Sequence, residues 1–328
     1  MKKYEHGGNI YSDDTEYDFS ANINPLGMPE NVRKAVLKSV DMCESYPEPY
    51  SERLVSAISE YENFPAENIV CGNGASDLIY RIISVIRPQK AFVEEPSFIE
   101  YEKALSEYNC KITSEFSHNA DIVILGNPNN PTGLTLNTEI MKTISDICIK
   151  KNIYFLCDEC FLDFVRDGRS KSIFNFMNNR VIILKAFTKI YAMAGLRLGY
   201  ALFGDSELAE KVKYSGQCWN VSVPAQLAGI QALKETDYIS RTVSFIETER
   251  RFLFKNLKRI GIKAYKSETN FILLYTEKPI DRLLAERKIK IRNCENFEGL
   301  GKNYYRIAVR THKENMILIK ALEDIFNG

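Results

Sequence analysis

Lys189 and Arg197 stand close together in Val181-Ile-Ile-Leu-Lys-Ala-Phe-Thr-Lys-Ile-Tyr-Ala-Met-Ala-Gly-Leu-Arg-Leu-Gly-Tyr200. A lysine set among Phe187, Ile190, Tyr191 and Ala192 loses hydration. That disfavours its ammonium form and leaves an amine able to act as a nucleophile. Arg197 offers a planar fork suited to a phosphate. The pair suits a ligand with an aldehyde at one end and a phosphate at the other, which is the form of pyridoxal 5'-phosphate. For such a pair in isolation, a snorkelling lysine and a surface arginine is the plainer reading; the rest of the chain changes that weighting.

Three other stretches carry polar groups in the right company. Ile69-Val-Cys-Gly-Asn-Gly-Ala-Ser-Asp-Leu-Ile79 reads as strand, glycine turn and helix. The first turn of a helix has free N–H groups and a positive dipole end, so Gly74, Ala75 and Ser76 could hold a phosphate; an ordinary turn with a capping serine is the alternative. Gly126-Asn-Pro-Asn-Asn-Pro-Thr-Gly133 is a stiff loop in which Asn130 presents its amide at a defined place. Asp158 ends the apolar run Ile153-Tyr-Phe-Leu-Cys157, where a carboxylate needs a partner. A protonated pyridine nitrogen is one candidate and a neighbouring arginine is the other.

The elements that position these residues follow from the pattern of apolar runs. Strands are expected at 69–72, 91–94, 122–125, 153–157, 181–184 and 199–203. Helices are expected at 29–40, 51–61, from about 75, and at 98–108 and 139–150. Such alternation argues for an α/β domain with a mixed, mostly parallel sheet flanked by helices. In such sheets ligands sit at the carboxyl ends of the strands, where Asn130, Asp158 and Lys189 fall. Helices follow at 207–214, 225–234 and 236–259. Strands at 271–275, 289–292 and 304–309, with helices at 280–287 and 314–326, make a small α+β unit. The expected organisation is an N-terminal segment (1–45) joining the small domain and the site, a large domain (46–244) and a small C-terminal domain (245–328).

Composition sets the outer limits. The chain has 328 residues, of which 45% are hydrophobic, enough for a large core. Lys+Arg and Asp+Glu both number 43, so nothing favours nucleic acid or a membrane surface. The first residues carry no apolar leader and no run is long enough to span a bilayer, so the protein is expected in the cytoplasm. Its eight cysteines are then expected reduced. Cys157-Asp-Glu-Cys160 has metal-ligand spacing, but with three histidines scattered through the chain no metal is expected.

In their order along the chain these pieces resemble the fold type I pyridoxal-phosphate enzymes of the aminotransferase class I/II family. The resemblance implies that Lys189 bonds the cofactor aldehyde and Asp158 its pyridine nitrogen. Asn130 would bind the phenolic oxygen, and Gly74, Ala75, Ser76 and Arg197 would hold the phosphate. Phe98 in Glu95-Pro-Ser-Phe98 would stack on the ring, and Arg306 in Tyr304-Tyr-Arg-Ile-Ala-Val-Arg310 would take a substrate carboxylate. Thr188 is grouped with the cofactor-binding residues, although an extended segment would turn it away from the phosphate. Many relatives carry Ser or Thr where this chain has Ala186, so one phosphate hydrogen bond is missing. Tyr46 resembles a residue that reaches the neighbouring subunit's cofactor phosphate, which implies a homodimer.

Within that family the chain is similar to the branch of histidinol-phosphate aminotransferases and the threonine-phosphate decarboxylases of cobalamin biosynthesis. His6-Gly-Gly-Asn9, Asp18-Phe-Ser-Ala-Asn-Ile-Asn-Pro-Leu-Gly27, Asp158-Glu-Cys-Phe161 and Ile291-Arg-Asn-Cys-Glu-Asn-Phe-Glu-Gly-Leu300 resemble the decarboxylases. The aminotransferases usually have Tyr where Phe161 stands. By that resemblance His6, Gly7, Asn22, Asn130, Arg292 and Arg306 contact a phosphorylated amino acid. Decarboxylation of L-threonine O-3-phosphate, with L-serine O-phosphate as a second substrate, is the expected activity. Amino-group transfer to or from histidinol phosphate or a related amino acid is the alternative, and a ligand-binding protein on this fold without catalysis is a third.

Overall fold

A computed structural model of the chain describes residues 6–11, 14–113, 115–116 and 119–327. Its central feature is a seven-stranded sheet. In spatial order the strands are Ile69–Gly72, Gly199–Phe203, Val181–Ala186, Tyr154–Asp158, Ile122–Gly126, Lys90–Val93 and Lys111–Thr113. Gly199–Phe203 runs antiparallel to both neighbours, and all the other pairings are parallel. The sheet is therefore mixed and mostly parallel, as expected.

Both faces of the sheet are covered, which is why its strands read as continuous apolar runs. Successive residues of Val181–Ala186 go to opposite sides. Val181 and Ile183 join one core, while Ile182 and Leu184 join the other. Leu78, Ile82, Tyr101, Leu105 and Leu208 cover one face, from helices Gly74–Ile86, Glu100–Ser106 and Ser206–Ser215. Helices Glu52–Glu62, Thr138–Lys151, Val223–Ala232 and Tyr238–Ile260 cover the other through Leu54, Ile58, Met141, Ala228 and Leu253. Phe155 is fully buried at the centre; truncating it to Ala would cost about 3–5 kcal/mol.

A four-stranded antiparallel sheet lies beyond helix Tyr238–Ile260. Its order is Arg292–Asn293, Tyr304–Ala308, Phe271–Tyr275 and Lys263–Ala264, with helices Ile280–Ala285 and His312–Asn327. The single strand expected at 289–292 is two. Ile289–Lys290 pairs in parallel with Tyr17–Asp18, whereas Arg292–Asn293 pairs with Tyr304–Ala308. The chain changes partner at Ile291, so one expected strand serves two sheets. The helix expected at 98–108 is confined to Glu100–Ser106, and Phe98 lies in the loop before it.

The N-terminal segment ties these units together. Phe19 O accepts from Ala308 N at 2.8 Å, and Asn24 N donates to Lys189 O at 3.1 Å. Asn24 Nδ2 also donates to Ile190 O at 2.7 Å. One stretch of chain thus bonds the small sheet at one end and the Lys189 turn at the other. Among the described residues no helix is long and apolar enough to cross a membrane.

Candidate active site

The site lies along one end of the large sheet's strands. Parallel strands bring Asn130, Asp158, Lys189 and the loop holding Phe98 there, beside the start of helix Gly74–Ile86. The antiparallel strand Gly199–Phe203 begins at that same edge, which is how Arg197 arrives. The small sheet and the N-terminal segment close the other side. Between them lies a cavity of about 510 Å³. Its wall includes Ala75, Ser76, Phe98, Asn130, Asp158, Thr188, Lys189 and Arg197 from the large sheet's side. Opposite stand His6, Gly7, Asn22, Arg292 and Arg306.

Lys189 sits in a short helix, Phe187–Ile190, in place of the extended backbone considered above. Its pKa falls to about 8, because burial strips its hydration and Arg306 and Arg197 repel its charge. The helical turn brings Thr188 onto the cavity wall, but its hydroxyl donates back to Leu198 O at 3.4 Å. Ala186 also lines the wall and offers no hydroxyl.

Asp158 is held from two sides. Tyr101 Oη donates to Oδ2 at 2.6 Å and Cys160 N donates to Oδ1 at 2.9 Å. A carboxylate can accept about four hydrogen bonds, so it retains capacity for a further donor. Tyr101 packs edge-on to Phe98, with ring centroids 5.7 Å apart.

Helix Gly74–Ile86 has no side-chain cap at its N-terminus. Its first residue has φ +82°, and a Cβ there would lie 2.6 Å from Arg197 Nη2. Glycine is therefore required twice over, by its backbone and by the guanidinium laid across it. Free N–H groups and a cation converge on one small volume, which is an anion cradle.

Arg292 and Arg306 are direct partners across antiparallel strands, so their side chains share a face. Both are buried. Arg306 donates to Asn130 Oδ1, and to Ser20 O at 2.9 Å, while its Nε has no hydrogen-bond partner. Burial pulls its pKa down to about 10. Asn22 Oδ1 is a second buried polar atom without a partner. Arg292 donates to Asn296 Oδ1 at 2.6 Å and lies over the Phe297 ring.

Tyr46 stands apart. It is 80% exposed, packs on Trp219 with centroids 4.8 Å apart, and does not reach the cavity of its own chain. Cys157 is buried in the strand that ends at Asp158, whereas Cys160 lies past that end on the cavity wall. Among the described residues no cluster could hold a metal ion. Sequence reasoning missed Tyr101, Glu100 and Ser20. Only their nearness to Phe98 and to Asn22 signalled them, since their partners lie far away in the chain.

The family model for aminotransferase class I and II matches residues 15–322. A threonine-phosphate decarboxylase of Salmonella typhimurium is 32% identical, the match covering 98% of this chain and 97% of that protein. A putative threonine-phosphate decarboxylase of Caldanaerobacter subterraneus subsp. tengcongensis is 35% identical over 99% and 95%. The histidinol-phosphate aminotransferase structure from Clostridium acetobutylicum superposes with a TM-score of 0.88 at 29% identity, covering 95% of this chain and 99% of that one.

Proposed function

The chain belongs to the aminotransferase class I and II family, and from that premise we propose that it holds pyridoxal 5'-phosphate and decarboxylates L-threonine O-3-phosphate to 1-amino-2-propanol phosphate. The observation that carries the substrate reading is the placement of Arg292 opposite Arg306, both buried, with His6 on the same cavity wall. Like charges directly opposite on a sheet are unfavourable. They are repaid by a ligand with two anionic ends, such as a phosphorylated amino acid.

The residues present fit the cofactor. The cradle under Arg197 suits its phosphate, Lys189 offers an amine of lowered pKa, and Asp158 has acceptor capacity to spare. Asn130 and Phe98 stand on the same wall. When bound, this cofactor supplies an electron sink for a bond broken at the substrate's α-carbon. The protein's own part is to orient. Arg306 and Asn22 hold the α-carboxylate, while Arg292 and His6 hold the phosphate, so the substrate is clamped at both ends. Which α-carbon bond lies along the sink is set by that clamp. Lys189 Nζ, near neutrality in its proton affinity, carries the proton on and off the α-carbon. Tyr46 reaches the cavity of a second copy in a homodimer.

The second reading is amino transfer with histidinol phosphate, favoured by the Clostridium structure. Purified protein loaded with pyridoxal phosphate is expected to release CO₂ from L-threonine O-3-phosphate. Conversion of the cofactor to its amine form by histidinol phosphate, with no CO₂ from threonine phosphate, would overturn the reading. L-serine O-phosphate belongs in the same assay, because one methyl discriminates by only about 1–3 kcal/mol.

A further inference from the structure

Glu100 is buried on the cavity wall and makes two hydrogen bonds with its carboxylate. Oε1 is 2.7 Å from His6 Nε2, and Oε2 accepts from Tyr80 Oη at 2.9 Å. Tyr80 stands on helix Gly74–Ile86, whose first turn forms the anion cradle. His6 belongs to the N-terminal arm, and its ring also lies 5.9 Å from that of Phe98. The arm is laid directly on the segment that carries Asn22. Gly8 N donates to Ser20 Oγ at 2.8 Å, and a Cβ at Gly7 would lie 2.2 Å from Ser20 O. No side chain is tolerated at that contact, so the arm's path over the cavity is fixed by close backbone approach.

We propose that Glu100 is the residue that positions His6 for the substrate's phosphate, and so sets how strongly the site prefers phosphorylated amino acids. With Nε2–H committed to Glu100, Nδ1 is the ring nitrogen left for a ligand, and with both nitrogens protonated it donates to a phosphate oxygen. An arm anchored only at Gly7 and Gly8 would leave the imidazole free to rotate; the carboxylate removes that freedom before the ligand arrives. The His6 hydrogen bond also holds Glu100 below the usual carboxylate range, against its burial and with help from Tyr80. Glu100 thus stays a carboxylate, an acceptor for His6 Nε2–H. The turn that carries it serves three tasks at once: Phe98 lines the cavity, Glu100 fixes the arm, and Tyr101 bonds Asp158.

This inference rests on the substrate reading above and is tested separately from it. Holoenzyme variants Glu100→Gln, His6→Ala and the double replacement are compared by CO₂ release. Glu100→Gln is expected to raise KM for L-threonine O-3-phosphate about tenfold, the scale of one charge-assisted hydrogen bond, with the loss carried by KM rather than kcat. In the His6→Ala background the same replacement is expected to change KM less than about twofold, since the two act as one unit. Tyr80→Phe, which removes the other hydrogen bond to Glu100, is expected to raise KM in the same direction by less, and it serves where Glu100→Gln fails to fold. A fall in kcat at unchanged KM, an undiminished effect in the His6→Ala background, or a wild-type KM would each overturn the proposal. Should the wild type release no CO₂, the substrate reading fails alone. Wild type, Glu100→Gln, His6→Ala and the double variant are then compared by calorimetric binding of inorganic phosphate to the holoprotein, where weakening in Glu100→Gln but not further in the double variant supports the proposal and equal affinities overturn it.

Discussion

Tyr101 donates a hydrogen bond from its hydroxyl to Asp158 Oδ2 at 2.6 Å across a separation of 57 residues. The phenol comes from a helix on one face of the sheet and the carboxylate from a strand end at its centre. Tyr101 itself is 2% exposed. The bond fixes one oxygen of Asp158 and leaves the side chain aimed at the cavity.

Tyr101→Phe keeps the ring and removes that donor. A hydrogen bond to a charged acceptor is worth about 1.5–3 kcal/mol. Chemical denaturation of the apoprotein is expected to show a loss on that scale, and bound pyridoxal phosphate to dissociate faster. A variant matching wild type in both would make the contact incidental.

The low pKa of Lys189 has a definite sign. Its folded value is about 8, below the roughly 10.4 of an exposed lysine. The folded apoprotein therefore binds this proton less tightly than the unfolded chain does. Its stability rises with pH between those two values and is lost as pH falls through about 8. Capture of pyridoxal phosphate by the apoprotein, followed through its absorbance, is expected to be half-maximal near pH 8. Arg306→Gln removes a nearby positive charge and should move that midpoint upward; Lys189→Met should abolish the band and borohydride trapping altogether.

Arg292→Ala is expected to raise KM for L-threonine O-3-phosphate about 10–100-fold, the value of one or two charge-assisted hydrogen bonds. Arg292→Lys should recover only part of that, because an ammonium cannot reproduce the planar fork. Steady-state CO₂ release measures both. Equal KM values in all three proteins would remove Arg292 from the substrate site.

Behind the cavity, Lys185 Nζ meets Glu62 Oε1 at 2.8 Å, and the same oxygen accepts from Tyr200 Oη at 2.5 Å. Glu62 is buried, yet Lys185 holds its carboxyl below the usual range. Lys185→Met leaves that carboxylate only the more distant, largely exposed Arg169, whose Nη2 lies 3.5 Å from Oε2, and is expected to destabilise the protein by up to about 3–5 kcal/mol. Adding Glu62→Gln should restore most of the loss. Thermal unfolding of the two variants decides it, since an unaffected single variant would show the pair to be solvated.

How legible the site was depended on distance along the chain. Lys189, Asp158 and Asn130 each follow or end an apolar run, and the carboxyl ends of parallel strands face one side, so local pattern sufficed to group them; Arg197, just before an antiparallel strand, joins them through its nearness to Lys189 in the chain. The resemblance extended the reading to His6, Asn22, Arg292 and Arg306, which do line the same cavity. Thr188 reads differently in three dimensions, because the lysine turn is helical and its hydroxyl is spent on Leu198 O.

The sequence by itself determined the alternation of strands and helices, the chemistry available at each strand end and the apolar faces that become two cores. Hydrophobic period and turn residues are local properties, and they survive without knowledge of partners. Tertiary structure alone decided that the run at 289–292 would split between two sheets. It also decided that Tyr101 would hold Asp158 and that Glu100 would meet His6 across 94 residues. Those contacts depend on which surfaces the packed layers bring within about 3 Å of each other, the range of a hydrogen bond. No spacing along one strand or helix encodes that, since each partner's position is set by the packing of a different element.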